Sequence, residues 1–448
     1  MKKLFGTDGI RGKANRYPMT PEVALSLGQA IAVHFSRKKG GGRIVIGKDT
    51  RRSSYLFEYA LSAGISSMGA QAILTGPLPT PGIAFLTTAM RADAGVVISA
   101  SHNPFEDNGI KFFDHEGFKL SDEVELQMEE YVFSSHDDST KPTGSVIGRA
   151  VRIKDAVGRY VEFLKSTFPK KLNLKGFKVV VDCANGAGYK VGPLLFSEMD
   201  AEVIAIGCEP NGTNINDRCG ALHPEKTVEM VKKTKADIGI AIDGDGDRVI
   251  LCDEKGEIVD GDRVLALCAL ERKKEGKLHK DTVVGTVLSN MGLEIYLKEN
   301  NLKLIRTKVG DRSIVTEMKK HGYTLGGEPS GHLIFMDLAT TGDGFIAALQ
   351  VLAYMLKMQK PLSELAHQMP VFPQETKNIK IKERKALESI APLQKELKAV
   401  EKDLSGKGRV ILRYSGTEPL LRITIEGENE KMVKKNLERL SDCIEANL

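Results

Sequence analysis

Three aspartates separated by single glycines, DGDGDR at 243–248, stand directly after the apolar run IGIAI. Alternate residues of an extended loop face the same way, and glycine lets the backbone fold closely. Asp243, Asp245 and Asp247 can therefore present three carboxylates to one hard divalent cation. Crowded this closely, they repel one another unless a cation neutralises them. An EF-hand does not fit: Asp243, Asp245, Asp247 and Glu254 fall at its positions 1, 3, 5 and 12, but Arg248 occupies position 6, which requires glycine, and VILC (249–252) reads as a strand. A second stretch, VVISASHNPFEDNGIKFF (96–113), carries Ser101 just past a buried-looking run. Ala100 and His102 flank it where an acyl-transfer nucleophile would have glycines, and alone the stretch also reads as a strand ending in a turn.

Two further loops carry polar chemistry. RYSGTEP (413–419) lies between two strand-like runs, so its backbone N–H groups, the hydroxyls of Ser415 and Thr417 and the guanidinium of Arg413 can converge on a phosphate; a hairpin turn is the alternative. GGEPSGH (326–332) supplies Glu328, Ser330 and His332, acceptors and donors suited to the hydroxyls of a sugar. Arg11 in GTDGIRG and Lys111 in NGIKF add basic groups. A hydroxyl, a three-carboxylate metal loop, a phosphate nest and a hydroxyl-binding loop together describe phosphoryl transfer on a polyol.

The elements that must hold these loops follow a repeat. ADAGVVISASHN (92–103) aligns with ADIGIAIDGDGD (236–247), placing Ser101 on Asp245, and more loosely with GYTLGGEPSGH (322–332). Upstream, IVIGKD (44–49), KVVVDCANGAG (178–188) and TVVGTVLSNMG (282–292) each read as a strand entering a helix-starting loop. Three related α/β units result, and ligands in such sheets sit beyond the carboxyl ends of the strands, so the three motif loops are expected to face one cleft. A helix is expected over 20–38, with Thr20 as N-cap and Pro21 in its first turn. After the proline-bearing MPVFPQE (369–375), NIKIK, RVILR (409–413) and LLRITIEG (420–427) read as strands, and 384–400 and 429–447 as helices: a small α+β domain.

Composition sets bounds. A chain of 448 residues exceeds one ordinary core and implies about three or four domains. With 41% hydrophobic and 27% charged residues it is neither disordered nor fibrous, and no apolar run is long enough to span a bilayer. MKKLFGTDGIRG lacks the apolar segment of a secretory signal, which makes a cytoplasmic location the default. Six cysteines without a C-x-x-C pair argue against zinc and a disulfide framework. Basic residues number 64 against 59 acidic, interspersed, which argues against a nucleic-acid partner.

The four motifs SASHNP, DGDGDR, GEPSGH and RYSGTEP, in this order and across the whole chain, resemble those of the α-D-phosphohexomutases, and LFGTDGIRG looks like the amino-sugar branch of that family. The resemblance implies four domains around a central cleft, three α/β units with mixed sheets and a C-terminal α+β domain, bounded here at 1–150, 151–253, 254–368 and 369–448. It implies that Ser101 is a phosphoserine and that Asp243, Asp245 and Asp247 bind one Mg2+, completed by a phosphoryl oxygen on Ser101. Glu328 and Ser330 would contact the sugar, with His332 in the same loop, and Arg413, Ser415, Gly416 and Thr417 would hold the non-reacting phosphate. Lys111, His102, Arg11 and Arg248 would surround the phosphoserine, with Lys111 or His102 as base. The implied reaction interconverts glucosamine 6-phosphate and glucosamine 1-phosphate through a 1,6-bisphosphate, for nucleotide-sugar and cell-wall precursor synthesis. Activity on mannose or glucose phosphates, and a non-catalytic sugar-phosphate binder, stay open as alternatives, as does a homodimer. Pro329 stands where that branch often has Gln, and Tyr414 where Pro is common.

Overall fold

Short apolar runs become the central strands of three mixed sheets. The computed structural model describes residues 3–447 apart from 7, 36–41, 137–138, 140, 382 and 415–419. In the first unit β1 (Ile10–Lys13), β2 (Arg43–Lys48), β3 (Gln71–Pro77), β4 (Ala94–Ile98), β5 (Asp107–Asp114) and β6 (Ala150–Arg152) lie in the order β1-β5-β4-β2-β3-β6. The second contains β7 (Lys178–Asp182), β8 (Glu202–Ile206), β9 (Ile238–Ile242), β10 (Val249–Asp253) and β11 (Ile258–Val259), ordered β11-β10-β9-β7-β8. The third has β12 (Thr282–Thr286), β13 (Lys303–Thr307), β14 (Leu325–Gly327) and β15 (Leu333–Phe335), ordered β13-β12-β14-β15. β4, β9 and β12 are buried along their whole length; β4 and β9 read as apolar runs for that reason, and β12 buries Thr282 and Thr286 at its ends.

The internal repeat is a repeat of pairing. β4, β9 and β14 each pair in parallel with the upstream strand of their unit, β2, β7 and β12, and then antiparallel with the strand that follows, β5, β10 and β15. Each motif loop therefore leaves the carboxyl end of an equivalent strand. β6 belongs to the first sheet, two residues past the boundary expected after 150, and β11 carries the second sheet past that expected after 253. One apolar core runs continuously through all three α/β units, from Val45 and Leu86 through Val181 and Ile240 to Leu325 and Phe345.

The last sheet, β16 (Gln374–Lys380), β17 (Gly408–Tyr414) and β18 (Leu420–Gly427), is antiparallel, ordered β16-β18-β17, and has a core of its own with two helices. One of these, expected over 384–400, instead runs Ala391–Leu404. Pro392 is the reason: without an N–H it fits only the first turn, and its ring disfavours helical backbone before it. Of the helix expected over 20–38, Pro21–Phe35 is helical and 36–38 lie outside the described residues; Thr20 Oγ1 accepts from Val23 N at 3.4 Å. No described helix is long and apolar enough to cross a membrane.

Asp343 caps the helix Gly344–Met358, accepting from Phe345 N at 2.9 Å, Ile346 N at 3.0 Å and Tyr160 Oη at 2.6 Å, while Gly344 N donates to Gly246 O in the aspartate loop at 3.1 Å. Burial raises its carboxyl from 3.8 to about 6 despite these donors. The protonated form is thus favoured in the fold: its stabilisation is complete below 3.8 and lost as pH climbs through about 6. Asp343→Asn keeps the cap without the charge. Relative to the native chain it gains about 3 kcal/mol of stability between about pH 4 and about pH 7. Denaturant melts of both proteins across that range check this, and parallel pH profiles would refute it.

Candidate active site

Ser101 follows β4 at a tight turn, almost completely buried and with left-handed backbone, φ 51°. Its N–H donates to Ser99 Oγ at 2.9 Å, and Ser99 in turn donates to Asp49 Oδ2 at 2.6 Å. Its own Oγ donates to Asp243 Oδ2 at 2.6 Å and lies 3.3 Å from His102 Nδ1. The serine loop of one unit and the aspartate loop of the next, 142 residues apart, thus share a hydrogen bond. The close approach needs Gly244, where a Cβ would fall 2.7 Å from the Ser101 carbonyl oxygen.

Asp243, Asp245 and Asp247 are all buried, with one ligand atom from each lying within 4.8 Å of the others, and among the described residues they are the one His/Cys/Asp/Glu cluster so arranged. Burial, then the charges of Asp247 and Asp245, push the Asp243 carboxyl well above its ordinary value. Burial alone would raise Asp247 too, but Lys111, His332 and Arg248 hold it well below the usual carboxylate range. Asp245 Oδ1 and Asp247 Oδ1 are buried acceptors without a hydrogen-bond donor. Two donorless oxygens and an all-oxygen set fit a hard divalent cation.

Cations ring the cluster. Lys111 Nζ lies 2.9 Å from Asp245 Oδ2, 3.3 Å from Asp8 Oδ2 and 3.7 Å from Asp247 Oδ2; Thr80 Oγ1 donates to the same Asp245 oxygen at 2.6 Å. Burial opposes the Lys111 charge, but Asp245, Asp8 and Asp247 outweigh it and raise its ammonium well above the ordinary value. Arg11 pairs with Asp8, and Arg248 Nε lies 3.9 Å from Asp247. Burial, then Arg248 and Arg11, push the His102 imidazole down to about 4, leaving it neutral near pH 7. A ring of alternating acidic and basic side chains closes through three units: Asp8, Lys111, Asp247, His332, Asp311, Lys119 and back to Asp8.

His332, expected beside the sugar, is turned inward. Its ring is buried, with Nδ1 3.6 Å from Asp247 Oδ2 and Nε2 3.9 Å from Asp311 Oδ2, so it faces the aspartate loop. The reason is the antiparallel bridge between His332 and Arg248, which packs the two loops against each other. In the same turn Ser330 is exposed, and Glu328 accepts from Gly310 N at 3.0 Å. Arg413, half-buried at the end of β17, sits opposite Arg422 across β18. Burial and Arg422 lower its guanidinium, with Glu328 opposing. Two like charges directly opposite on a sheet are unfavourable unless an anion joins them. Ser415, Gly416 and Thr417 lie outside the described residues.

Sequence reasoning missed Asp8, Lys119, Asp311 and Thr80. Asp8 stood within GTDGIRG, beside the arginine that drew notice, whereas nothing in the local spacing marks Lys119 and Asp311, which meet across 192 residues.

Family models for the phosphoglucomutase/phosphomannomutase α/β/α domains I, II and III match residues 2–138, 158–256 and 260–372, and that for the C-terminal domain matches 377–442. The chain belongs to this family. Among phosphoglucomutase/phosphomannomutase proteins it is 57% identical to the phosphoglucosamine mutase of Geobacter sp. (strain M21) over 448 residues, 100% of this chain and 99% of that one. It is 59% identical to the phosphoglucosamine mutase of Citrifermentans bemidjiense, covering 96% and 95%. The crystal structure of a phosphoglucomutase/phosphomannomutase family protein from Burkholderia thailandensis shares its fold, with TM-score 0.80 at 22% identity over 99% of this chain and 97% of that one. So does that of Aspergillus fumigatus N-acetylphosphoglucosamine mutase in complex with GlcNAc-6P and magnesium, with TM-score 0.70 at 18% identity over 100% and 96%.

Proposed function

We propose that the chain is a phosphoglucosamine mutase, interconverting glucosamine 6-phosphate and glucosamine 1-phosphate through phosphorylated Ser101 and a glucosamine 1,6-bisphosphate. The observation that carries this is the 2.6 Å contact of Ser101 Oγ with a buried cluster of three carboxylates, and the near-full-length likeness to proteins named phosphoglucosamine mutase supports the choice of sugar. Asp243, Asp245 and Asp247 would hold one Mg2+, joined by a phosphoryl oxygen on Ser101. When bound, the ion supplies positive charge against the oxygens of the moving phosphoryl group.

The chain's own groups do the rest. The P–Oγ bond of phosphoserine breaks as a sugar hydroxyl oxygen bonds to phosphorus, and the hydroxyl's proton passes to a base. His102, with Nδ1 3.3 Å from Ser101 Oγ, stands beside the leaving oxygen, placed to give the departing serine oxygen its proton and to take that proton back when Ser101 attacks in the returning half. Lys111, clasped among Asp245, Asp8 and Asp247, serves as a fixed positive charge, as do Arg11 and Arg248. Glu328 and Ser330 hold the ring hydroxyls, and Arg413 with Ser415, Gly416 and Thr417 holds the non-reacting phosphate. The bisphosphate then turns over, and its other phosphoryl group returns to Ser101.

Coupled assays with glucosamine, glucose and mannose phosphates test the sugar. Expected is a preference for glucosamine 6-phosphate in kcat/KM of at least about tenfold, about 1.4 kcal/mol, with residual activity on glucose phosphate, since Glu328 and Ser330 meet hydroxyls that both sugars share. Equal or greater efficiency on glucose or mannose phosphates would overturn the assignment. Pro329→Gln would then show whether that residue is the cause.

A further inference from the structure

The Ser101 carbonyl oxygen accepts hydrogen bonds from two different units. Arg51, in the loop after β2, is completely buried, and its guanidinium is spent on the serine loop. Nη2 donates to Ser101 O at 3.0 Å and Asn103 O at 2.8 Å, and Nη1 donates to Asp107 O at 3.1 Å and to Pro104 O. Nε donates to Asp49 Oδ2 at 2.7 Å, the carboxylate that also receives Ser99 Oγ. From the second unit, Asn216 Nδ2 donates to Ser101 O at 2.9 Å and Asn103 O at 3.1 Å. Asn216 is itself left-handed, φ 58°, a conformation asparagine tolerates, and its N–H is fixed by Ala184 O at 2.9 Å.

These donors converge on the strained residue of the loop. A non-glycine residue at positive φ persists only where its surroundings over-determine it. The Ser101 backbone in turn sets where Oγ points, and here it points to Asp243 at 2.6 Å. Only a planar fork reaches carbonyls spread over residues 101–107 from one buried position; a lysine ammonium in the same place satisfies fewer of them.

We propose that Arg51 and Asn216 are positioning residues for phosphoryl transfer. By holding the carbonyls of Ser101 and Asn103 they keep Ser101 left-handed and its phosphoryl group aimed at the aspartate cluster, and Asn216 makes that aim depend on the docking of the second unit. This rests on the reading of Ser101 as the phosphoryl carrier. Among the described residues neither Arg51 nor Asn216 hydrogen-bonds Glu328, Ser330 or Arg413, so the expected loss is one of alignment.

Steady-state kinetics and thermal melts of Arg51→Lys, Asn216→Ala and Ser101→Ala, each as full-length protein with Mg2+, test the proposal. Arg51→Lys is expected to lower kcat by about a hundredfold, the effect of an ångström-scale misplacement, with KM within about threefold of native. Asn216→Ala is expected to lower kcat by about tenfold with KM unchanged, and to lower the melting temperature by a few degrees, since alanine tolerates the left-handed backbone at 216 less well than asparagine and two hydrogen bonds are lost. In the double variant the losses fall short of their product, because both act on one carbonyl. A native kcat in Asn216→Ala and Arg51→Lys, or losses that vanish in assays run well below each variant's melting temperature or that appear in KM, would overturn the proposal. If Arg51→Lys does not fold, Asn216→Ala decides alone. Ser101→Ala separates the two readings: if it is active the phosphoserine mechanism fails, whereas if it is inactive beside native positioning variants only the clamp fails.

Discussion

Ser101→Ala lowers turnover by at least about a thousandfold, about 4 kcal/mol of transition-state stabilisation, while leaving the fold in place. The fold survives because the change removes one hydroxyl from a turn whose shape is set by other groups: Arg51 and Asn216 on the carbonyl, and Ser99 on the N–H. Activity does not survive, because no other described hydroxyl occupies the position 2.6 Å from Asp243. Phosphopeptide mapping gives an independent check, since active native protein carries phosphate on the Ser101 peptide and the variant does not. Active protein with no phosphate on that peptide at any stoichiometry would refute the shuttle.

Removing any one of Asp243, Asp245 or Asp247 as its amide abolishes metal-dependent activity, and the loss differs in character between the three. Burial and the charges of Asp247 and Asp245 weigh on the Asp243 carboxylate, so Asp243→Asn melts higher than the native chain in excess EDTA. Adding Mg2+ raises the native melting temperature by mass action, about 2.7 kcal/mol at a hundredfold excess over Kd, and leaves Asp243→Asn nearly unmoved. Asp245→Asn also releases Lys111 and Thr80, so it costs stability with or without the ion. Calorimetric melts with and without Mg2+ beside EDTA-treated assays check this, and full activity in excess EDTA would count decisively against the site.

Much of this was legible locally. The alignment of 92–103 with 236–247 predicted equivalent strands, and the pairing of β2 with β4 and β7 with β9 repeats residue for residue because a buried parallel strand demands the same apolar run each time. The start of the helix at Pro21 follows from capping chemistry within four residues. Where the reading slipped, a local conflict decided it: helical composition from 384 lost to Pro392, which fits only a first turn.

Residue types alone established that three carboxylates, a serine and a hydroxyl-binding turn exist in one chain on equivalent strand ends, with a basic turn in a separate C-terminal domain, because periodicity, turn chemistry and charge crowding are properties of neighbouring residues. Which groups meet was decided by the tertiary structure. His332 carries the right chemistry for a sugar contact, yet its bridge to Arg248 turns it onto Asp247 and Asp311. Lys119 reads as an ordinary surface lysine until two units close and place it between Asp8 and Asp311. Arg51 carries no mark in its local sequence, and its role arises only when the serine loop folds over it. Coulomb energies and hydrogen bonds act over a few ångströms in space and are indifferent to separation along the chain, so the geometry of the site belongs to the packing of the units and not to any one of their motifs.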